Sequence, residues 1–443
     1  MAALVLTGIL VLTLVVQARL ASARMFVVLG GAAASCLASA LFGLGGSREL
    51  LAEVPWDVLV LLVTLGLLSE AFVEARLFAV VAVRAAELSR ASPVGIAIVF
   101  GASMYLVSAL MNNLTALVLV LPIVLIILRV AGAGQRQVSW TLGTLLVTCN
   151  LGGAATPIGD FPAILLLGRG SMTFTGYLAR AAPATFVGTA VVLSIAALAL
   201  TRVGRGHVDR KLRTSISRML LRSLYRGVRL DRKLVGWLTF VFAAMLASWT
   251  FLPASGAISP DLVGWIGVLV ALAARPAFGE RIIRSRVDVE AVLFLLALFV
   301  MVAAVRRTGV FGLAATTLTT LPVSAPVQLV LFLLLVGIVT GIFSAGPSMA
   351  ALLEVAAALA TRLPPELVYV GLALAVCAGS SLFLTAATSG PLAQSLTERA
   401  HIVGPDGKRI RFGFVEFLPI GFVSFVVIEA VAIGYCLLGL LAR

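Results

Sequence analysis

Apolar runs about as long as a bilayer is thick recur from one end of this 443-residue chain to the other. Crossing the hydrocarbon as helix takes roughly 20 residues. Stretches 25–44, 56–73, 177–200 and 414–440 are of that length or near it and carry few charges. A soluble domain can bury one such helix, but ten of them would leave no polar surface to cover the rest. Charged residues make up 12% of the chain, about half of the roughly 25% of an ordinary soluble domain. The runs are long and lack two-residue alternation, which selects helices over a transmembrane barrel. The chain therefore reads as an all-α polytopic membrane protein.

Ten full crossings are expected, over 2–18, 25–44, 56–74, 140–168 and 177–200, then 234–252, 262–275, 288–305, 366–392 and 414–440. Residues 2–18 have no basic segment ahead of them and read as a retained span, not a cleaved signal. Two apolar stretches, 93–130 and 326–361, are interrupted near their middles, by Asn112-Asn113 and by Gly346-Pro347-Ser348. Both read as re-entrant hairpins that enter and leave on one side. Charge supports the scheme. With residues 19–24 inside, 26 of the 33 Lys and Arg fall in inside loops and 7 elsewhere, as the positive-inside rule requires. A net charge of +14 then reflects membrane topology and not nucleic-acid binding, because the basic residues lie between apolar spans. Both termini are expected outside.

The loop 201–233 divides the chain, with nine Arg and two Lys. The spacing of Arg218, Arg222, Arg226 and Arg229 predicts an interfacial amphipathic helix, either a clamp for anionic lipid or a topology anchor. The expected organisation is a first repeat over 1–200, with hairpin 93–130 and broken helix 140–168. A cytoplasmic linker over 201–233 follows. The second repeat spans 234–443, with hairpin 326–361 and broken helix 366–392. The halves echo each other in order. Trp56-Asp57 is matched by Val287-Asp288, SALMNNLTALVLVLPIVL (108–125) by SAGPSMAALLEVAAAL (344–359), and CNLGGAATPIGDFPAILLL (149–167) by CAGSSLFLTAATSGPL (377–392). Five crossings per half is an odd number, so the second repeat is inverted, an arrangement of secondary transporters with a site at the midplane.

Polar groups within hydrocarbon are costly and mark candidate sites. Asn112, Asn113 and Thr115 crowd the first hairpin tip. Their carbonyl and hydroxyl oxygens suit a hard cation, and their N–H and O–H groups suit an anion; helix capping is the alternative role. Asn150, Gly152, Gly153, Thr156, Gly159 and Asp160 form a second cluster, with Pro157 and Pro162. That density of glycine and proline unwinds a helix and frees backbone groups, which are tolerated only along a cavity or inside protein. Asp160 is the sharpest residue. Hydrocarbon disfavours its charged form, so it is a candidate to exchange a proton for a cation, with capping of the second half-helix as the other possibility.

In the second half, Ser344, Ser348, Ser380, Ser381, Thr385, Thr388 and Ser389 occupy matching regions, although such hydroxyls often bond back to their own helix. Glu354, Glu70 and Glu429 are further intramembrane acids. Glu354 ranks first among them because it follows the second hairpin tip. Cys36, Cys149, Cys377 and Cys436 lie in apolar stretches without metal-ligand spacing and read as small buried hydrophobes. His207 and His401 lie in polar loops. No metal site is expected beyond a transported cation, and no cofactor. No nucleophile–base pair or phosphate loop is visible, so an enzyme is not expected.

At SALMNNLTALVLVLPIVL and NLGGAATPIGD the chain resembles the ion-transporter superfamily, which contains arsenite permeases, citrate-type carriers and sodium–proton antiporters. The resemblance runs in order over nearly the whole chain. CNLGGAATPIGDFPAILL and EAVLFLLALFVMVAAVRRTGVFG (290–312) look most like the sodium–proton antiporter-like members associated with magnetosomes. The resemblance implies a dimerising scaffold, hence a homodimer. It also implies a transport domain with two re-entrant hairpins and two broken helices, working by alternating access. By position it points to Asn112, Asn113, Thr115, Asn150, Thr156 and Asp160. The second half departs from the pattern: Gly346-Pro347-Ser348 and Gly379-Ser380-Ser381 stand where relatives often carry Asn/Asp and Gly-Asn runs.

The functional expectation is a proton-coupled cation antiporter, sodium being the candidate ion, in the cytoplasmic membrane or one derived from it. It rests on Asp160 and on the lack of any Lys or Arg near either hairpin tip or helix break in the sequence. An arsenite, oxyanion or carboxylate permease of the same architecture is the alternative, since helix N-termini hold anions without a basic side chain. A non-transporting membrane organiser is the third. The expected partners are the transported ion or small anion and the lipid bilayer, with no nucleic acid.

Overall fold

The computed structural model describes residues 1–20, 23–89, 92–168, 172–201, 230–251, 259–387 and 389–442. Most of the basic linker, including the amphipathic helix expected over Arg218–Arg229, and Thr388 lie outside the described residues.

Among the described residues the first half folds into α1 (Ala2–Arg19), α2 (Arg24–Leu41), α3 (Ser47–Ala52), α4 (Trp56–Glu74), α5 (Leu77–Ser89), α6 (Pro93–Ser108), α7 (Asn113–Val130), α8 (Gln135–Ala155), α9 (Phe161–Gly168) and α10 (Phe174–Thr201). The second half repeats the series as α11 (Arg232–Phe251), α12 (Pro260–Ala273), α13 (Pro276–Arg286), α14 (Val289–Arg306), α15 (Val310–Thr319), α16 (Ala325–Phe343), α17 (Ala345–Leu359), α18 (Pro365–Ser380), α19 (Gly390–Ala400) and α20 (Phe414–Leu441). Each helix has its counterpart ten places on. Eight of the helices are long and apolar enough to span a bilayer. Large apolar side chains such as Phe26, Phe186, Phe240 and Phe422 stand exposed, which in a chain of this hydropathy is the surface that meets lipid.

Local chemistry sets many of the helix starts. Proline opens α6, α12, α13 and α18, where its missing N–H costs nothing and its fixed φ suits the first turn. Ser92 caps α6 by accepting from the Gly95 N–H at 3.0 Å, and Asp288 caps α14 by accepting from the Ala291 N–H at 2.9 Å. At the start of α11, Asp231 accepts from the Leu234 N–H and pairs with Arg275 at 2.6 Å. The Arg275 guanidinium holds that exposed carboxyl below the usual carboxylate range.

The repeats interlock. α14 packs on α2 as α4 packs on α12, and α17 packs on α9 as α7 packs on α19. The packing therefore sorts the helices differently from the chain order: α1–α4 with α11–α14 make a scaffold, and α6–α10 with α16–α20 make an inner bundle. Nearly all of α8 and α18 is buried at the heart of that bundle. Asn150 of α8 donates to the Ser380 carbonyl and to Ser381 Oγ, both at 3.2 Å, so matching points of the two broken helices meet where the repeats meet.

Both interrupted stretches are helix–break–helix hairpins, α6–α7 and α16–α17. Four segments read as loop or left unassigned from sequence are helical: α3, α5, α13 and α15. α5 and α15 lie against the first and second hairpins respectively, and α13 buries Gly279 and Ile282 while its arginines stay exposed. α3, α5 and α13 are too short and too mixed in polarity for a bilayer-length reading, and α15 is apolar but only ten residues long. The second broken helix also runs past 392, because α19 continues to Ala400 through the polar Gln394–Arg399.

Candidate functional site

The first hairpin tip and the first helix break are built against each other. Asn112 holds the N-cap of α7, its side chain accepting from the Leu114 N–H at 2.8 Å, which satisfies one donor left open by the helix start. Asn113 is buried, and its Oδ1 takes the Ser108 hydroxyl. Ser108 Oγ also lies 2.7 Å from the Cys149 carbonyl, fastening the tip to α8. That helix stops because Thr156 precedes a proline and is extended, at φ −133° and ψ 155°. Thr156 Oγ1 donates to the Ala109 carbonyl at 2.6 Å and accepts from the Ile158 N–H at 3.3 Å.

Asp160 then opens α9, accepting from the Phe161 N–H at 2.9 Å, with the Asn113 amide beside its carboxylate. Gly153 makes this convergence possible: a Cβ there would stand 2.6 Å from Asn113 Oδ1 and 3.0 Å from Asp160 Cβ. Gly152 and Gly159 likewise lie against the carbonyls of Tyr105 and Ser108.

A cavity of about 200 Å³ lies between this junction and the scaffold. The bundle contributes Asn112, Asn113 and Asp160, and the second hairpin contributes Ser344 and Gly346. The scaffold wall holds Ser69 of α4, Arg24 of α2, and Asp288, Glu290 and Phe294 at the head of α14. The starts of α7, α9 and α17 all border the chamber, and each presents the positive end of a helix dipole. Asn112 and Asp160 cap the first two; α17 has no side-chain cap. Ser344, at that bare end, has φ 77° and ψ 167°, backbone space that is essentially glycine's alone.

Arg24 corrects the expectation that no basic group stands near the hairpin tips. The fold brings it from the head of α2, its guanidinium 4.4 Å from the centre of the Phe294 ring and within electrostatic reach of Glu290. Three carboxyls to one guanidinium is the balance of the chamber wall.

The remaining sequence candidates separate. Thr115 borders an adjoining cavity of about 50 Å³ with Asn112, Glu70, Arg286 and Asp288. Asn150, Ser380 and Ser381 bind one another away from the chamber; Ser380 Oγ donates to the Val376 carbonyl at 2.7 Å and Ser381 Oγ to the Cys377 carbonyl at 3.0 Å. Ser348 is buried and does not line the chamber, and Thr385 is exposed. Ser389 is buried outside it as well. Glu354 faces Arg306 of the scaffold at 3.4 Å, around a space of only about 10 Å³.

The family profile of citrate transporters (CitMHS) matches residues 9–379. The chain belongs to this family. A Mycobacterium tuberculosis protein described as an uncharacterized transporter is 28% identical over 79% of this chain and 80% of its own length. The magnetosome protein MamN of Paramagnetospirillum magneticum is 26% identical over 89% of this chain and 88% of its own. The crystal structure of the Alcanivorax borkumensis YdaH transporter superposes with a TM-score of 0.55 at 18% identity, covering 87% of this chain and 85% of that one; this likeness is one of fold. The family member described here is thus a multi-pass membrane transporter of the ion-transporter superfamily. Sequence reasoning missed Arg24, Ser69, Asp288 and Glu290 on its chamber wall, and Ser108, which holds Asn113 from behind that wall. Ser108 stands in the quoted hairpin motif and was legible there; Arg24 and Glu290 gave no local signal, since only the fold brings α2 and α14 to the tips.

Proposed function

We propose that this protein is a proton-coupled cation exchanger, with sodium the candidate ion, working by alternating access through the chamber between scaffold and bundle. The observation that carries the reading is Asp160, a carboxyl at a helix break held by the Asn113 amide and the Phe161 N–H on a cavity wall. A carboxylate with an oxygen-rich tip beside it can hold a small cation or a proton in turn. The acid majority of the wall supports a positively charged substrate. By the charge scheme, Arg24 and Asp288 lie toward the cytoplasmic side, so this conformation faces inward, and the Arg306–Glu354 pair closes the other side. The proposal includes the cytoplasmic membrane or one derived from it, a cytoplasmic linker 201–233, and a homodimer formed through the scaffold.

Everted vesicles from cells without their own antiporters test it. A preformed pH gradient should dissipate on adding sodium or lithium, with half-saturation moving to higher cation concentration as the pH is lowered, because protons compete for Asp160. No cation response at any pH contradicts the reading.

A carboxylate permease is the second reading, favoured by Arg24 and the uncapped start of α17 in the same chamber and by the family's citrate transporters. Saturable carboxylate uptake without a cation response would select it.

A further inference from the structure

Glu429 is the buried acid that the chamber does not use. It lies in the middle of α20, 3% exposed, and neither carboxyl oxygen has a hydrogen-bond partner among the described residues. Its surroundings are apolar and close. A Cβ on Gly337 of α16 would stand 2.8 Å from Glu429 Oε2 and 2.9 Å from the Phe425 ring. The carboxyl therefore fills the space left by the missing side chain at Gly337.

The first repeat shows what that space ordinarily holds. Aligning the starts of α7 with α17 and of α10 with α20 places Tyr105 opposite Gly337, Thr185 opposite Phe425 and Thr189 opposite Glu429. In the first repeat the Tyr105 phenol fills the gap and bonds Thr185 Oγ1 at 3.0 Å, while Thr189 Oγ1 donates to the Thr185 carbonyl at 2.8 Å. Polar groups there satisfy one another. In the second repeat the phenol is gone, both hydroxyls are replaced, and a lone carboxyl stands in their place.

An ionised carboxylate in this position would have neither water nor donor, whereas the carboxylic acid form carries no net charge and fits an apolar gap. Among the titratable groups of the helices around it, the Cys436 thiol of α20 is within electrostatic reach. Tyr435 stands on α20 and Tyr369 on α18, and α16 carries no titratable residue. On α10, Tyr177 bonds the Ala154 carbonyl and Arg180 faces Glu366; on α8, Cys149 faces Ser108, and Arg136 stands in the first turn, next to Gln135, which bonds the Arg411 carbonyl. Glu366 and Glu416 sit at the starts of α18 and α20.

We propose that Glu429 is a second proton-binding group of this carrier, separate from Asp160 and acting on the second hairpin. Gly337 lies two turns, about 10 Å, before the hairpin tip at Ser344. With its proton on, Glu429 lets α16 seat against α20; losing the proton requires water or a partner to enter, which unseats α16 and moves the tip that lines the chamber. Proton coupling at Glu429 rests on the proposed exchange reaction.

The test compares Glu429→Gln, Glu429→Asp and Asp160→Asn in proteoliposomes, reading substrate flux and the accompanying proton movement across a pH series. Glu429→Gln should keep saturable flux but lose one titrating step, leaving a flatter pH profile, and Glu429→Asp should restore the step. An unchanged profile in Glu429→Gln overturns the proposal and leaves Asp160 as the coupling carboxyl. Should Glu429→Gln not fold, loss of the step is sought in Gly337→Ala, which crowds the carboxyl. A wild-type profile there overturns it equally. Unimpaired coupling in Asp160→Asn would instead remove Asp160 as the shared carboxyl, and wild-type flux without any proton movement would remove the exchange reading itself.

Discussion

At the residue scale the site depends on side chains that are absent as much as on those present. Gly153 has no Cβ, and that lets Asn113 and Asp160 meet behind it. Gly153→Ala should push both groups apart, costing about 1–3 kcal/mol of fit and lowering cation affinity severalfold in vesicle assays, while assembly in the membrane is kept. Ser344 is the opposite case, a side chain where backbone geometry favours none. Ser344→Gly should stabilise the purified protein by about 1–3 kcal/mol, read as a higher midpoint of thermal unfolding; a lower midpoint would mean that the hydroxyl holds the tip. Of these residues the sequence exposes the amides, the hydroxyls and Asp160, since polarity in an apolar stretch is conspicuous. Arg24 is invisible to such reading because its own surroundings, at the end of a span, give an arginine an ordinary topological role.

Elements were legible where a single property spans them. The crossings follow hydropathy at bilayer length, and the two hairpins and the first break follow Asn, Gly and Pro interrupting that hydropathy. α5, α13 and α15 were not legible, because helices of 10 to 13 residues fall short of bilayer length; α5 and α13 also carry charges that blend into basic loops, whereas α15 is apolar but half a span long. α19 was underestimated for a related reason: the broken helix was expected to end at 392, and the polar Gln394, Ser395, Thr397, Glu398 and Arg399 beyond it form the last turns of α19. The broken helices are joined by Asn150, whose amide reaches Ser380 and Ser381. Asn150→Ala leaves those acceptors with one donor fewer in a buried place, at about 1–3 kcal/mol. Thermal unfolding should shift down while half-saturation for substrate changes little, since Asn150 does not line the chamber. A large change in half-saturation with unchanged stability would put Asn150 in the site instead.

Across the whole molecule, the interlocked repeats give a scaffold and an inner bundle with a chamber of about 200 Å³ between them. On the opposite side, Arg306 of the scaffold pairs with Glu354 of the second hairpin. That contact has to break if the bundle moves to open there. Glu354→Gln should therefore raise the accessibility of a cysteine placed at Ser344 to a membrane-impermeant reagent added from the outer face. Unchanged labelling would assign the pair a static role.

The most direct measurement is paired proton and cation flux in proteoliposomes containing the wild type or Asp160→Asn. With Asp160 as the shared carboxyl, the wild type moves protons against sodium or lithium, and Asp160→Asn loses the exchange while remaining folded and inserted. Proton-coupled exchange of wild-type size in Asp160→Asn would contradict the proposed mechanism.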